Sequence, residues 1–386
     1  MRNPTAPPSP PPSESDDPDA AFSRFYWWRS LQDPDGSVAP STPTPSRLRV
    51  VKELERLALV AHESLDELRH RLLGYRAGDL WFPAGGISRQ ETDIPPVITV
   101  LLLGFAGTGK SSLVNLMYSV LGRSGFVPFA QTSSPAGRQG RTEFLEEHNV
   151  LRSMHNGFCV FDSRGLDYDR MEDGLEEVSE WMDEGVRHRQ PCRGAGSSAR
   201  VPLTGSAAKA AKRFVQRCVN CVMLVLSLSE IYWSYTAGDF RPLEAARELF
   251  HAPSVKNNCN DNPILVLTHG DELTTEQRID GRVKICEYLG ISETTGVYDI
   301  MCLHEQGSHG AMVIDEMDPV NAYALTEALY RALLIADRSH PPKPNVKDWL
   351  LLILSWSMCS LSAFFAFLAY FCSKLAKAHK DHHKLR

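Results

Sequence analysis

The sequence predicts an α/β fold, with a doubly wound, mostly parallel sheet followed by a C-terminal transmembrane helix. Four apolar runs, near positions 97, 158, 222 and 263, are short and nearly continuous, as parallel strands buried on both faces are. A glycine-rich turn and then a helical pattern follow the first run, which is the local order of a βα unit. A late stretch of 24 residues, 349–372, has no formal charge and is long enough to cross a bilayer.

The composition limits the classes of function. The chain has 386 residues and a formal charge of −6, so it lacks the basic footprint of nucleic-acid-binding proteins, and no nucleic-acid partner is expected. Its nine cysteines show no disulfide framework, and with no signal peptide they predict reduced thiols in the cytosol. Cys218 and Cys221 form a lone Cys-x-x-Cys, which is interpreted as two small core residues rather than a metal or redox pair.

The N-terminal region, 1–45, is predicted to be disordered, because eleven prolines and several acidic residues leave too little apolar surface to bury. An aromatic group interrupts it, and its members are Phe22, Phe25, Tyr26, Trp27 and Trp28. Two interpretations stay open for this group. Its side chains fold back onto the domain, or they form a short linear motif for a partner.

An amphipathic helix is predicted over 46–75. Apolar residues recur there at spacings of three and four, which is the periodicity of a helix with one buried face. Ser46 is the expected N-cap after Pro45, and Gly74 is the expected end. Docking of this helix on the domain is favoured over a coiled coil, although its length permits both.

The strongest chemical signal follows the first apolar run, 97–103. The residues from Gly104 to Ser111 match Gly-x-x-x-x-Gly-Lys-Ser, and a strand before and a helix after them are the context of a P-loop. Glycines let backbone N–H groups surround phosphate oxygens, and the positive end of the following helix adds to the attraction. Lys110 is expected to reach the terminal phosphates. The predicted phosphate-binding residues are Gly104, Gly107, Thr108, Gly109, Lys110, Ser111 and Ser112.

A magnesium site is predicted beside this loop. Asp162 ends the second apolar run, where a P-loop protein holds Mg²⁺, and the hydroxyl of Ser111 is expected to ligate the same ion. Gly165 is placed to direct its N–H group at the γ-phosphate. Thr132 is the predicted further Mg²⁺ ligand, with Thr142 as the second choice. The residues expected to act in catalysis are Lys110, Thr132 and Gly165.

The fourth apolar run leads into Thr268, His269, Gly270 and Asp271. GTPases recognise guanine at this place with Asn/Thr-Lys-x-Asp, whose aspartate accepts hydrogen bonds from N1–H and the 2-amino group of the base. Adenine cannot supply that pair of donors, so it would leave a buried carboxylate unpaired. Thr268, His269 and Asp271 therefore predict GTP or GDP as the ligand, rather than an adenine nucleotide.

Together the three motifs resemble those of the septin-related GTPases, especially the chloroplast outer-envelope import receptors and the immune-associated nucleotide-binding proteins. The resemblance covers roughly 95–335 and depends on 104–112, 162–166 and 268–271. It implies a Ras-like P-loop NTPase domain, often with homodimerisation through that domain and a C-terminal membrane anchor. Two features depart from the family pattern. Asp-Ser-Arg-Gly replaces Asp-Thr-Pro-Gly, and a segment near 187–213 has the composition of a flexible insertion.

Slow hydrolysis is expected because Leu166 stands where many small GTPases carry a glutamine that orients the attacking water. A partner or a second copy of the chain would then complete the site. Arg164 and Arg170 are candidates for contacting the γ-phosphate, and the other interpretation is that both are solvated surface arginines. The loop that flanks the base is expected at 302–304.

The C-terminal stretch determines the predicted location. A helix over 349–372 would be about 36 Å long, enough for a hydrocarbon core of roughly 30 Å, with Trp349 and Tyr370 near its interfaces. The tail, 373–386, is basic, and the positive-inside rule would keep it cytosolic. We favour a cytosolic N-terminal domain, because its ligand is cytosolic and it is complete before the helix leaves the ribosome. The expected membrane is an organelle outer membrane, of a plastid or mitochondrion, or the ER.

Three functions remain open at this point. The first is a Mg²⁺-dependent GTP-hydrolysing switch at a membrane, activated by a partner or by dimerisation. The second is a nucleotide-binding receptor or scaffold with little hydrolysis. The third is an ATPase or small-molecule kinase on the same P-loop.

Overall fold

The computed structural model describes residues 26–32, 44–83, 88–122, 130, 144–151, 157–192, 213–259, 262–302, 318–343 and 346–384. Several predicted features lie outside these residues: most of 1–45, Thr132, Thr142, residues 193–212 of the predicted insertion, and 303–304 of the base-flanking loop. The chain divides into two units, Met1–Phe82 with Ile94–Ser339 and Pro83–Asp93 with His340–Arg386. Each unit is described by itself.

In the described residues, the first unit is built on one seven-stranded sheet. Its strands are β1 (Ile98–Gly104), β2 (Phe144–His148), β3 (Phe158–Asp162), β4 (Gln190–Pro191), β5 (Cys221–Ser227), β6 (Ile264–Thr268) and β7 (Val297–Asp299). They lie in the order β4-β2-β3-β1-β5-β6-β7. The five strands from β3 to β7 in that order pair in parallel, whereas β2 pairs antiparallel with β3 and β4 at one edge.

Helices connect the strands and cover both faces of the sheet. Those of the first unit are α1 (Pro45–Gly74), α2 (Lys110–Gly122), α3 (Met171–Glu184), α4 (Leu228–Thr236), α5 (Arg241–Phe250), α6 (Pro253–Cys259), α7 (Thr275–Leu289) and α8 (Pro319–Arg338). Single turns of 3-10 helix lie at Tyr168–Arg170 and Gly270–Glu272, and a longer one at Trp27–Gln32.

Alternate residues of β1 face opposite sides of the sheet. Ile98, Val100 and Leu102 join one apolar cluster with residues of α1, α2 and α8. Leu101 and Leu103 join another with residues of α3, α4 and α5. All five are at most 1% exposed, as expected for a strand between two helical layers. The predicted doubly wound α/β fold with a mostly parallel sheet is therefore confirmed.

Helix α1 packs by its apolar face on the rest of the first unit. Its buried residues belong to the same cluster as α8, and they are Val50, Leu54, Leu57, Ala58, Ala61 and Leu72. The predicted N-cap was wrong: Thr44 caps the helix rather than Ser46, and its Oγ1 accepts a hydrogen bond from the backbone N–H of Arg47 (3.5 Å). Pro45 fits the first helical position because it has no N–H that needs a partner.

The cysteines of the described residues carry no metal site. Cys221 is buried in β5, whereas Cys218 is exposed, so the core interpretation holds for one member of the pair only. Burial raises the pKa of the Cys159 and Cys286 thiols to about 12, which keeps them protonated and unreactive. No cluster of three potential metal ligands among His, Cys, Asp and Glu occurs in the part of the chain that the structure describes.

The second unit contains one long helix, α9 (Val346–Lys384). Before it, the chain around Pro341 and Pro342 pairs with residues near Thr92, and Asp93 N–H donates to the carbonyl of Pro341 (2.9 Å). Within α9, Trp349–Lys374 has a mean hydropathy of 2.0, and none of it is buried. By length and composition this stretch can cross a membrane. The basic tail predicted from 373 onward continues the helix as far as Lys384.

Candidate nucleotide-binding site

The loop between β1 and α2 has a backbone shape that its glycines permit. Gly104, Gly107 and Gly109 have φ angles of +153°, +82° and +79°, which residues with a side chain rarely adopt. A Cβ on Gly104 would lie 2.1 Å from the carbonyl oxygen of Val225 in β5, so only glycine fits there. Helix α2 begins at Lys110 directly after the loop. The N–H groups of its first turn, which have no partner within the helix, therefore adjoin the loop.

Lys110 lies inside this loop. Its side chain is buried, and Nζ donates to the carbonyl oxygens of Phe105 (2.7 Å) and Gly104 (3.3 Å). Burial lowers the pKa of Lys110 to about 8, while the nearby Asp162 carboxylate acts in the opposite direction. Nζ also lies 3.5 Å from the hydroxyl oxygen of Thr108, so neutral dipoles solvate a buried cation that attracts an anion strongly.

Asp162 ends β3 beside the start of α2. The Ser111 hydroxyl donates to its Oδ2 (2.5 Å), and Oδ1 is buried without a hydrogen-bond partner among the described residues. Burial raises the pKa of Asp162 to about 6, against the hydrogen bond from Ser111 and the charge of Lys110. An unpaired buried carboxylate oxygen next to a hydroxyl is a pair of hard oxygen ligands, which suits Mg²⁺. Of the residues predicted for a metal, Ser111 and Asp162 thus fit one, and Thr132 lies outside the described residues.

The loop after β3 lies directly against the loop after β1. A Cβ on Gly165 would lie 2.3 Å from the Cα of Ala106, so the two backbones are in contact there. Leu166 N–H donates to the carbonyl of Gly104 (3.0 Å), and Ala106 N–H donates to the carbonyl of Leu166 (3.0 Å). The structure therefore brings Gly165 next to the predicted phosphate-binding residues.

Leu166 has a different environment from the one its position in the motif suggests. Its side chain is 2% exposed and lies in the apolar cluster that contains α3, α4 and α5. It contacts α3 at Gly174, where an added Cβ would lie 3.2 Å from Leu166 Cδ2. The residue at this position is a core residue, and its side chain does not lie in the loop around Lys110.

Thr268 and His269 connect the end of β6 to the phosphate-binding loop. The Thr268 hydroxyl lies 2.9 Å from the carbonyl oxygen of Thr108 and 3.1 Å from Nδ1 of His269. His269 has a left-handed backbone (φ +55°), and its Cε1 would lie 3.4 Å from a Cβ placed on Gly109. Asp271 follows in the 3-10 turn Gly270–Glu272, and its side chain is exposed. Thr268 and His269 thus adjoin the predicted phosphate site, and Asp271 is accessible to a ligand.

An ion pair beneath this turn was not predicted from the sequence. Arg278 of α7 donates to Asp299 at the end of β7 through Nε (2.6 Å) and Nη2 (2.8 Å), and both side chains are at most 5% exposed. A Cβ on Gly270 would lie 2.5 Å from Arg278 Nε. In the sequence, the only signal of this pair was the acidic residue Asp299 at a strand end. Its partner Arg278 lies 21 residues earlier, so the two do not form a local pattern.

The two arginines considered for the γ-phosphate differ in their surroundings. Arg170 forms an ion pair with Asp173 (2.6 Å) at the start of α3, and both side chains are partly exposed. Arg164 is half-buried. In the predicted base-flanking loop, Cys302 is buried with Sγ 4.0 Å from the carbonyl oxygen of Gly109. Burial raises the pKa of this thiol to about 12.

Comparison with known proteins adds little to this picture. No family model matches the chain, and no curated protein sequence matches it. Among solved structures, the chain is similar to a variant of Aquifex aeolicus Era bound to GDP·AlF4⁻, at 16% identity and a TM-score of 0.26, over 54% of this chain and about half (52%) of Era. It is also similar to the signal recognition particle receptor SRb-GTP/SRX complex from Chaetomium thermophilum, at 14% identity and a TM-score of 0.29, over 56% of this chain and 95% of that one. At these scores the likeness carries no argument about function.

Proposed function

We propose that this chain is a membrane-tethered P-loop protein that binds GTP and GDP with Mg²⁺ and hydrolyses GTP slowly. The observation that carries the proposal is the arrangement of buried Lys110, partly buried Ser111 and buried Asp162 around the loop 104–109. Lys110 is buried inside the loop, and Ser111 is bonded to a carboxylate with one oxygen left unpaired. A P-loop requires this set of groups. An ordinary glycine-rich turn does not need a buried lysine.

The charges of the site suit a phosphate chain with a divalent cation. Lys110 and the first turn of α2 present positive charge to the β- and γ-phosphates, and Ser111 and Asp162 would hold Mg²⁺. Thr132 remains the proposed third ligand on the ground of its sequence position. Bound Mg²⁺ supplies charge neutralisation to the phosphate oxygens. The contact of Gly165 with Ala106 supports a role for its N–H group at the γ-phosphate end.

The choice of guanine depends on the loop after β6. Asp271 is exposed in the turn Gly270–Glu272, which follows β6, and Thr268 at the end of β6 is hydrogen-bonded to the phosphate loop. From there its carboxylate can accept from N1–H and the 2-amino group of guanine. Adenine offers neither donor in that arrangement, so ATP would leave the carboxylate desolvated and unpaired.

Slow hydrolysis follows from the surroundings of Leu166. Its side chain lies in the apolar core, so no side chain at this position orients a water molecule. We propose that a partner, or a second copy of the chain joined through the nucleotide-binding domain, completes the site. The same observation favours a second candidate function, a receptor or scaffold that binds nucleotide and hydrolyses almost none.

The location is proposed from α9. Its exposed apolar stretch Trp349–Lys374 is long enough to act as a single span. The nucleotide-binding domain would lie in the cytosol, where GTP is found, and the short basic tail would lie across an organelle outer membrane or the ER membrane.

Nucleotide binding by the full-length chain in detergent micelles tests the proposal. GTP, GDP and ATP are compared with Mg²⁺, using Lys110→Ala and, as a matched control, Lys284→Ala, whose half-exposed amine forms an ion pair with Glu287 on the same helix. We expect micromolar or tighter binding of GTP and GDP that excess ATP does not displace. Lys110→Ala should lose it, and Lys284→Ala should keep it. No binding of any of the three nucleotides would disprove the proposal, and preference for ATP would replace it by an ATPase.

Turnover as a function of protein concentration separates the two candidate functions. A hydrolysis rate that rises more steeply than linearly with concentration supports activation by dimerisation. Tight GTP binding with negligible turnover at every concentration selects the receptor or scaffold.

A further inference from the structure

The aromatic segment Tyr26–Gln32 is attached to the nucleotide-binding domain at two helices. Trp28 Nε1 donates to Glu55 of α1 (2.8 Å), and Arg29 forms two further bonds to the same carboxylate (2.9 and 2.8 Å). The Tyr26 hydroxyl lies 3.0 Å from Nε2 of His62. Trp28 is 1% exposed and Tyr26 is 8% exposed, so the segment forms part of the core. The described residues of the aromatic group therefore pack back onto the domain, which is the first of its two interpretations.

Trp27 makes the second attachment, and it does so at α7. Its ring lies under the guanidinium of Arg278, with the Arg278 Cζ 3.9 Å from the ring centroid. The hydroxyl of Thr275 donates to the backbone carbonyl of Trp27 (3.1 Å). A cation over an indole face at this distance is the strongest form of the cation–π interaction, particularly when water is excluded.

Arg278 is the residue that joins Trp27 to the proposed base-binding loops. Gly270, next to Asp271, lies so close that an added Cβ would be 2.5 Å from Arg278 Nε and 3.0 Å from Asp299 Oδ1. Asp299 begins the loop that runs on to Cys302, and Arg278 Nη1 lies 3.7 Å from the Sδ of Met301. One buried guanidinium therefore touches both loops that flank the proposed base site.

We infer that Trp27 is a positioning residue for guanine binding, acting through Arg278 on the turn that carries Asp271. This inference rests on the proposed function. The Trp27 ring excludes water from the Arg278–Asp299 pair, and a dry, fully bonded pair holds its geometry more rigidly than a hydrated one. The turn at Gly270 is packed on that pair, so the position of the Asp271 carboxylate depends on a residue about 240 positions earlier in the chain.

The position of this contact predicts a selective effect on ligands. Trp27 packs on Arg278 and Thr275 of α7, on the side of the proposed base, whereas the phosphates would lie at the start of α2. GTP and GDP should therefore lose affinity by the same factor when Trp27 is removed. Inosine diphosphate, which lacks only the 2-amino group of GDP, should lose less, because it makes one hydrogen bond fewer to Asp271.

The test compares full-length wild-type protein with Trp27→Ala and Trp27→Phe in detergent micelles. The matched control is Trp233→Ala, since Trp233 is a half-exposed tryptophan of α4 packed edge-on against Tyr232. We expect Trp27→Ala to weaken GDP and GTP binding about five- to tenfold, which is part of the roughly 30-fold that a desolvated cation–π contact represents, because Trp27 acts on the base only through Arg278. The ratio of GTP affinity to GDP affinity should stay constant. The preference for GDP over inosine diphosphate (IDP), expressed as the ratio of their affinities, should become smaller. Trp27→Phe should restore most of the loss, and Trp233→Ala should match wild type.

A second variant guards against a folding defect. Thr275→Val replaces the hydroxyl that donates to the Trp27 carbonyl by a methyl group, and it should weaken GDP binding about threefold with a smaller fall in unfolding temperature than Trp27→Ala causes. Lower thermal stability of Trp27→Ala with an unchanged GDP-to-IDP ratio would mean that the segment is only structural and would overturn the inference. Wild-type affinity in both variants would overturn it as well. If wild-type protein binds no guanine nucleotide, the proposed function fails first, and the inference fails with it.

Discussion

At the scale of single residues, Asp162 is one of two buried aspartates, the other being Asp318, that make the stability of the nucleotide-free protein depend on pH. Its pKa of about 6 in the folded protein lies above the ordinary value of 3.8, mainly because of burial. The folded state holds this proton more tightly than the unfolded chain, so the free energy of unfolding should fall as pH rises from about 4 to about 6. The contribution of Asp162 to this change is about 2 kcal/mol. Thermal unfolding of nucleotide-free protein across this range measures the total change.

Substitution of Asp162 measures how much of that pH dependence belongs to this carboxyl group. Asp162→Asn should remove about half of the slope between about pH 4 and about pH 6, because the amide does not titrate, while Asp318, whose pKa burial also raises to about 6, keeps its share. Asp66→Asn on α1 is the control, since this carboxylate is 72% exposed and its removal should leave the slope intact. An undiminished slope in Asp162→Asn would assign the effect to other carboxyl groups.

Asp271 is the residue on which the proposed selectivity for guanine depends. Asp271→Asn replaces an acceptor by an amide that can also donate, so it suits xanthine, which has a carbonyl where guanine has its 2-amino group. We expect GTP affinity to fall by about 30- to 100-fold, as for the loss of hydrogen bonds to a charged group, while xanthosine triphosphate gains affinity. Competition binding with both nucleotides measures the switch. Glu272→Gln, one residue further on, is the control and should bind as wild type; equal GTP affinity in Asp271→Asn would exclude a role for this carboxylate in recognising the base.

The residues of the site differ in how far the sequence alone could identify them. Lys110 and Ser111 belong to one local motif, and Asp162 could be recognised because it ends an apolar run. Leu166 could not be placed, since its burial depends on packing against α3 after the chain has folded. The Arg278–Asp299 pair and its contact with Trp27 join three distant segments, and no local pattern encodes such contacts.

At the scale of elements, α1 is stabilised by its docking rather than by its own hydrogen bonds. Leu57 is 3% exposed in the apolar cluster shared with α8, whereas Leu59 on the same helix is 72% exposed. Leu57→Ala should lower the free energy of unfolding by about 2–4 kcal/mol, and Leu59→Ala by less than about 0.5 kcal/mol. Denaturant unfolding of the two variants checks this difference. Equal effects would mean that α1 is not packed as described.

The same packing explains which elements the sequence predicted. Helix α1 and the central strands have strong periodic or continuous apolar patterns, because they are buried on one face or on both. The two antiparallel strands at one end of the sheet, β2 and β4, have no such pattern, since β2 reads Phe-Leu-Glu-Glu-His and β4 has two residues. Their antiparallel pairing depends on neighbouring strands, and so they were not predicted.

At the scale of the whole molecule, the proposed membrane attachment depends on the apolar surface of α9, which is long and apolar enough to cross a membrane. The stretch Trp349–Lys374 contains large side chains, among them Trp356 at 72% and Phe367 at 64% exposure. Transfer of each side chain of this size from water to an apolar environment is favourable by about 1.5–3 kcal/mol. A hydrocarbon bilayer would bury all of these side chains at once. The backbone N–H and C=O groups of a helix are bonded to one another, so they need no other partner in the bilayer.

Two arginines in the middle of α9 should therefore release the protein from membranes. Leu361→Arg with Phe365→Arg places both charges near the centre of the stretch, at a cost of about 6 kcal/mol for the pair. Wild-type protein should stay in the membrane pellet after alkaline extraction, and the double variant should appear in the supernatant. The control, Ala376→Arg with Ala378→Arg, adds the same charge beyond Lys374 and should behave as wild type. Retention of the Leu361/Phe365 variant would mean that α9 does not span the bilayer and that the protein is held there by another surface.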